Sequence, residues 1–162
     1  MRWVSVAAVV VMGLPLALLL AGQAGLLAGN APTDLGVRDG RLKAPSRTPN
    51  SVSSQADLWA GLVRREEARI AALELLGDGP ATIGRLRAIV LSMPGAALVT
   101  DHPDYLYVRF RSRWLGFIDD TEFWFDPATQ KVQVRSASRV GRSDLGVNRK
   151  RIEMIRARLP GA

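Results

Sequence analysis

Residues 122–135 have the sequence EFWFDPATQKVQVR, in which two alternating runs of apolar and polar residues flank a turn at residues 127–130. Alternation with a period of two is typical of strands, and a four-residue loop can join two antiparallel strands. The expected register pairs Asp126 with Lys131, Trp124 with Gln133, Phe125 with Val132 and Glu122 with Arg135. Both charged pairs join opposite charges, so the pattern predicts a β-hairpin.

Another strand is predicted upstream of the hairpin. Leu106, Val108 and Phe110 alternate with polar or aromatic residues, so one face of this strand belongs to the core. We expect the other face, extended by one tryptophan of the hairpin, to be an exposed sheet face with aromatic and basic side chains. That face consists of Tyr105, Tyr107, Arg109, Arg111 and Trp124.

Two helices are predicted to cover the sheet. One begins at Pro80, has apolar residues at three- and four-residue steps, and ends before Pro94. The other runs from about Asn148 to Leu159. Residues 56–76 fit a helix over much of their length and a short strand near their end, and both alternatives stay open. The expected fold is a small two-layer α+β domain, with an antiparallel sheet of four or five strands packed against two helices.

An apolar N-terminal segment precedes this domain. Residues 3–28 carry no charge, and about 20 helical residues suffice to span a bilayer. Residues 1–28 are therefore either a cleavable signal peptide, with small residues near Gly22-Gln23-Ala24 as the cleavage site, or a transmembrane anchor formed by an apolar helix. Both alternatives predict a membrane-anchored or exported protein, with its domain outside the cytoplasm in the periplasm or at the cell surface.

The composition changes after this segment. Residues 29–55 are rich in Gly, Pro, Ser and Thr, and three prolines prevent a continuous helix. These residues form either a linker or an extended segment that packs on the domain. The α+β domain is expected to occupy residues 56–162.

The charge of the chain indicates its partners. The 162 residues carry a formal net charge of +7, and most of the cations are arginines, which suit carboxylates, phosphates and anionic membranes. Partners are expected to be the membrane, through the N-terminal segment, and an anionic lipid, polymer or protein. Nucleic acid is not expected, because a membrane-targeting segment removes the domain from it. The absence of cysteine and the single histidine exclude disulfides and Cys/His zinc sites, and no cofactor is expected.

Residues 135–153 combine many cations with hydroxyls, glycines and an amide at a strand end and a helix start. Such groups, together with the amides of a helix N-terminus, can surround a phosphate or carboxylate. The alternative is a structural corner, in which Asp144 or Asn148 caps the helix and the arginines pair with carboxylates. The predicted anion site consists of Ser136, Ser138, Arg139, Ser143, Asn148 and Arg151.

A carboxylate cluster is expected near this corner, formed by Asp119, Asp120, Glu122 and Asp144. Its oxygens can hold a hard cation, but arginines are in excess and the spacing does not resemble an EF-hand. We therefore favour a salt-bridge network and expect no metal. The alternative is an enzyme of unknown reaction that uses Asp119, Asp120 and Glu122 with Arg139, although no catalytic residue is identified.

Four motifs together resemble the domain-of-unknown-function family 1499. They are LGVRDGRL at residues 35–42, PNSVSSQ at 49–55, DDTEF at 119–123 and RSASRVGRSDLGVNRKR at 135–151. The resemblance implies that residues 33–55 belong to the domain and that residues 69–75 form a strand. It also implies export or membrane anchoring, and a dispensable disulfide at the positions of Ala44 and Ser51, where family members often have cysteines.

The preferred interpretation is a membrane-anchored or exported envelope protein that is a non-catalytic binding or structural module. Its binding function would depend on the basic anion-binding corner. The resemblance supplies no established activity.

Overall fold

The computed structural model describes residues 2–63 and 65–161, with only the backbone described for residues 2–12, 65 and 161. Within these residues the helices are α1 (Arg2–Gln23), α2 (Arg65–Ala68), α3 (Gly79–Leu91) and α4 (Val147–Arg158). The strands are β1 (Ser51–Ser53), β2 (Ala96–His102), β3 (Tyr105–Arg111), β4 (Ile118–Asp126) and β5 (Lys131–Ser138). Single turns of 3-10 helix lie at Ala56–Leu58 and Leu159–Gly161.

The five strands form one antiparallel sheet in the order β1-β5-β4-β3-β2. The predicted α+β class and strand number are confirmed. The hairpin register is also confirmed, because Glu122 pairs with Arg135 and Asp126 pairs with Lys131. Local alternation was sufficient to set this register, since a slip of one residue would turn Phe123 away from the core.

Strand β2 was not predicted separately, and the reason lies in its position at the sheet edge. Most of its side chains are exposed or half-buried, so its sequence lacks the sharp alternation of β3. Backbone pairing with β3 holds it in place, with a register shift between Leu98 and Thr100. The Pro103-Asp104 turn closes this hairpin.

Residues 69–75 form no regular strand. Single bridges join Arg69 to Ser53 and Leu73 to Val132. Between the bridges, two α4 arginines donate to carbonyl oxygens: Arg149 to that of Arg69, and Arg156 to those of Ala71 and Ala72. The segment is therefore extended but is held partly by guanidinium groups instead of by a neighbouring strand.

Helices α3 and α4 pack their apolar residues with one face of the sheet. Asp78 caps α3 by accepting a hydrogen bond from Ala81 N at 2.7 Å, and Pro80 lies in its first turn. The core cluster contains Ile83, Leu86, Ile89 and Val90 of α3, Ile152 and Ile155 of α4, and Leu106, Val108, Phe110, Phe123, Val132 and Val134 of the sheet. The prediction of two helices besides the N-terminal one omitted α2, a single turn whose buried residue is Ala68.

The extended segment after α1 packs against the other face of the sheet. Gly36 N donates to Glu122 of β4, and Ala44 O accepts from Arg135 of β5. The buried Gln55 side chain bridges the segment, because it accepts from Leu42 N and donates to Gly40 O. Ser51 Oγ accepts from Ser46 N, so a hydrogen bond ties β1 to this segment.

The last turn of α1 contacts the β3–β4 loop, which comprises residues 112–117. Gln23 Nε2 donates to Arg113 O at 3.0 Å and to Trp114 O at 2.8 Å. Gly22 lies so close to Leu115 O that a Cβ atom would be 2.5 Å away. Within the described residues, no helix is both long enough and apolar enough to cross a bilayer. Much of the segment that was predicted to span the bilayer falls on residues 2–12, for which only the backbone is described.

Candidate functional site

The polar residues predicted to form one corner lie on two opposite faces of the sheet. Successive side chains of a strand point to opposite faces. Ser136 and Ser138 share the face of the buried Val134, whereas Arg135 and Arg139 have the opposite parity. The predicted anion site therefore does not form as one cluster, because the sheet separates Arg139 from the serines.

Asn148 is the centre of the network on the helix side. It has no exposed surface, and its Oδ1 accepts from Ser136 Oγ at 2.5 Å and from Arg151 Nη1 at 2.8 Å. Its Nδ2 donates to Ser138 Oγ and to Asp144 Oδ2. Both ends of the amide are thus occupied by protein partners.

Arg151 and Asp119 close this network. Arg151 Nη2 donates to Asp119 Oδ2 at 2.6 Å, and the other carboxylate oxygen accepts from Ser138 Oγ. The guanidinium also lies 4.5 Å from the ring centre of Phe110, a cation–π contact. Arg151, one of the two cations of the predicted anion site, is therefore neutralised within the protein.

Asp144 caps α4 from three positions before its first residue, Val147. Its Oδ1 accepts from Gly146 N and its Oδ2 from Asn148 N, both at 2.9 Å. This arrangement places Leu145 at φ +53°, in the left-handed region. Ser143 Oγ only accepts from Leu145 N and is exposed, so it lies apart from the buried network.

A second network lies on the opposite face, under the extended segment. Arg139 donates to both oxygens of Asp120, at 2.9 and 2.8 Å, a bidentate pair whose side chains are 6% and 4% exposed. Tyr107 OH also donates to Asp120, and Tyr105 OH donates to Glu122.

Glu122 and Arg135 form the most buried pair of this network, at a separation of 3.5 Å. Burial raises the pKa of Glu122, although Arg135 and the hydrogen bonds from Gly36 and Tyr105 oppose this shift. Burial likewise lowers the pKa of Arg135. Glu122 Oε2 has no hydrogen-bond partner within the described residues. The two charged groups therefore share no hydrogen bond, although Glu122 Oε1 accepts from Gly36 N and Tyr105 OH.

The expectation of a single exposed sheet face needs correction. Arg109 and Arg111 lie at the surface, whereas Tyr105, Tyr107 and Trp124 are half-buried. The reason is that the extended segment reaches this face and that both tyrosines hydrogen-bond to carboxylates of β4. The predicted sheet face thus consists of two exposed arginines and three half-buried aromatic residues.

The two tyrosines of the chain should titrate abnormally late. Burial, followed by the hydrogen bond to Asp120, raises the pKa of Tyr107 to about 12, and burial and Glu122 raise that of Tyr105 as well. A raised pKa stabilises the folded state below the ordinary value of about 10. This contribution should be lost as the pH rises through about 12.

Tyrosinate ultraviolet absorbance during a pH titration checks this prediction. The folded chain should show little tyrosinate near the ordinary pKa of about 10, where the denaturant-unfolded control is half ionised. Half of the full signal appearing there in the folded chain would contradict the buried arrangement.

The carboxylates do not form one catalytic or metal-binding group. Asp119 bonds to Arg151 on the helix side of the sheet, while Asp120 and Glu122 face the extended segment. Asp144 is occupied in capping α4. Of the residues of the enzyme alternative, Asp120, Glu122 and Arg139 therefore share the face of the extended segment, whereas Asp119 lies on the helix side.

A cleft lies between the extended segment and the outer face of the sheet. Its volume is about 600 Å³, and residues 30–34 and 43–46 form one wall. The charged residues that line it are Asp34, Lys43, Asp120, Arg135 and Arg139. Lys43 pairs with Asp34 at 2.5 Å, and this bond lowers the pKa of Asp34.

Sequence reasoning missed Asp34 and Lys43 because they are 101 and 92 residues from Arg135 in the chain. Only the family resemblance indicated that Asp34 and Lys43 contact the domain, since it implied that residues 33–55 belong to the domain. Sequence reasoning also missed the apolar surface near α4. Trp114 and Phe117 of the β3–β4 loop are 63% and 36% exposed, although their sequence resembles an ordinary connection.

Comparison with known proteins shows a family to which the chain is similar. A family model described as "Protein of unknown function (DUF1499)" matches residues 41–159. No curated protein and no solved structure matches the chain. The matched range contains all five strands and helices α2 to α4. The chain belongs to the DUF1499 family of proteins of unknown function.

Proposed function

We propose that this chain is a membrane-anchored or exported envelope protein whose domain is a non-catalytic binding module. Its ligand site is the cleft around Arg135, which replaces the corner proposed from sequence. The observation that carries this proposal is a deeply buried arginine with few hydrogen bonds at a large polar cleft. The apolar N-terminal segment supports the membrane part of the proposal.

Several N–H donors of the Arg135 side chain have no hydrogen-bond acceptor within the described residues. A guanidinium has five N–H donors, but within the described residues Arg135 has one hydrogen bond, of 3.3 Å to Ala44 O, and the ion pair with Glu122. Its side chain is only 5% exposed, so bulk water hydrates it poorly. An oxyanion in the cleft would supply the missing acceptors and offset the burial of the charge.

The cleft favours a small anion over a long polyanion. Its lining carries three cations, Lys43, Arg135 and Arg139, but Arg139 is already paired with Asp120 and Lys43 with Asp34. Arg135 is therefore the cation that is best able to bind a new group. A carboxylate or phosphate of a few heavy atoms matches one such centre in about 600 Å³.

A thermal-shift titration of the full chain in detergent with phosphate, glycerol phosphate and dicarboxylates tests this proposal. We expect at least one anion to stabilise the protein, by about 2.7 kcal/mol at a hundredfold excess over its Kd. The double variant Glu122→Gln/Arg135→Gln should lose this stabilisation while leaving no single buried charge. Chloride at matched ionic strength corrects for general screening.

Arg109→Gln is the matched control, because Arg109 is an exposed cation of β3 that does not line the cleft. It should bind anions as the unmodified chain does. Equal stabilisation of the double variant, or no stabilisation by any of these anions, would show that the cleft is not the site.

A further inference from the structure

We infer that one end of the domain docks onto the surface of an anionic lipid bilayer. We name it the docking end and define it by Trp114, Phe117, Leu145 and Val147, with Arg113 and Lys150. The inference rests on the membrane association proposed above. It adds a second contact, made by the folded domain itself and distinct from the ligand cleft.

The apolar residues of the docking end are exposed, and three of the four line one cavity. Trp114 is 63%, Leu145 86% and Val147 47% exposed. Phe117, Leu145 and Val147 line one cavity of about 250 Å³, and Val147, Arg113 and Lys150 line a neighbouring one of about 540 Å³. A contiguous exposed apolar surface with a polar rim indicates an interaction site.

Leu145 points to a partner most directly. Its backbone has φ +53°, a conformation that suits Gly or Asn and disfavours a leucine. Its side chain also contributes nothing to the core, since 86% of it is exposed. Neither backbone preference nor packing therefore explains a leucine at this position, whereas insertion into an apolar phase does.

Charge distribution favours an anionic surface as the partner. Arg113, Arg142 and Lys150 are exposed near the docking end, and Arg113 stacks 4.9 Å from the ring centre of Trp114. Exposed acids lie at the other end of the sheet, with Asp104 in the β2–β3 turn and Asp78 before α3. This asymmetry would orient the docking end towards anionic headgroups.

The position of α1 favours lipid over a protein partner. Its last turn bonds to Arg113 and Trp114, and Arg111 Nη2 donates to Gly22 O and Gln23 O. The turns just before this contact expose leucines, with Leu14 and Leu20 at 61% and 62%. An apolar helix and an exposed tryptophan thus meet at the same end, an arrangement typical of a membrane interface.

Hydrogen exchange of the full chain on two kinds of vesicle tests the inference. One kind contains phosphatidylcholine alone, and the other contains one third phosphatidylglycerol. We expect amides in residues 112–117 and 143–147 to exchange about tenfold more slowly on the anionic vesicles. Leu145→Asn should remove most of this protection without lowering the resistance to urea, because Asn tolerates the left-handed backbone.

Arg113→Gln/Lys150→Gln should weaken the protection and its dependence on salt. Leu58→Asn is the matched apolar control. Leu58 is 49% exposed, but it follows the end of β1 that points away from the docking end. This variant should leave the protection unchanged.

Two failures can be distinguished. A chain that sediments with neither kind of vesicle would overturn both the membrane association and the docking end. A chain that sediments with both, but exchanges equally fast on both or is unaffected by Leu145→Asn, would overturn only the docking end. Protection that depends on protein concentration without lipid would also overturn it, in favour of self-association.

Discussion

The Asp120→Asn substitution should lower the free energy of unfolding by about 3 kcal/mol or more. Asp120 is the only charged partner of Arg139 within the described residues, and it also accepts from Tyr107 at 2.6 Å. Both side chains of the ion pair are almost fully buried, so water cannot replace the lost charge. The amide keeps the shape of the carboxylate but leaves the guanidinium uncompensated.

Urea denaturation, followed by circular dichroism, measures this effect. Adding Arg139→Met removes the isolated charge, so the double variant should be more stable than Asp120→Asn alone. Asp101→Asn is the matched control, because Asp101 pairs with Arg87 at the surface, where the side chains are 38% and 41% exposed. Its effect should stay below about 1 kcal/mol. Equal losses at the two positions would mean that burial does not decide the strength of these pairs.

The second large effect is expected for Asn148→Leu, which should destabilise the fold by about 2 to 4 kcal/mol. Leucine has nearly the same size but cannot accept from Ser136 and Arg151 or donate to Ser138 and Asp144. Ser136 Oγ keeps its hydrogen bond with Thr121 Oγ1 at 2.7 Å, but the buried groups around Asn148 lose the bonds that the amide made, and each group left unsatisfied costs about 1 to 3 kcal/mol.

Anion binding separates this structural role from a ligand-binding role. Asn148 lies on the helix side of the sheet, away from the cleft, so the anion affinity of Asn148→Leu should equal that of the unmodified chain. Ser143→Ala serves as the control, since Ser143 makes one exposed hydrogen bond and its loss should change stability by less than about 1 kcal/mol. A loss of anion affinity in Asn148→Leu would return the ligand to the corner proposed from sequence.

Features governed by local periodicity could be predicted from the sequence. The β4–β5 register followed from alternation and two charged pairs, and the helix beginning near Pro80 followed from its apolar spacing and its ending signals. Strand β2 could not be found in this way, because an exposed edge strand needs no amphipathic pattern. Its location depends on pairing with β3, which is a tertiary property.

The candidate site was predicted less well, for two physical reasons. Proximity in sequence suggested that Ser138 and Arg139 act together, but adjacent residues of a strand face opposite sides of the sheet. This separation follows from the strand assignment itself and was open to prediction. The cleft was not, because Asp34 and Lys43 reach it through a fold-back of the extended segment that no local pattern specifies.

The number of arginines overstated the charge available for ligands. Arg151, Arg139 and Arg135 each pair with one carboxylate, and Arg149 and Arg156 hold backbone carbonyls. These five guanidinium groups therefore hold parts of the fold together. Burial and the number of remaining donors distinguish this structural role from a ligand-binding role better than net charge does.

The packing of Gly22 and Gln23 against the β3–β4 loop bears on the maturation of the protein. A peptide bond in a helix end becomes a protease substrate only after that end unfolds locally. At residues 22–24 this would also require release of the contacts with Arg113 and Trp114. We therefore expect that cleavage near Ala24, where it occurs, precedes folding of the loop. A chain that folds first should keep its N-terminal helix, so the order of the two events would decide between a released and a retained form.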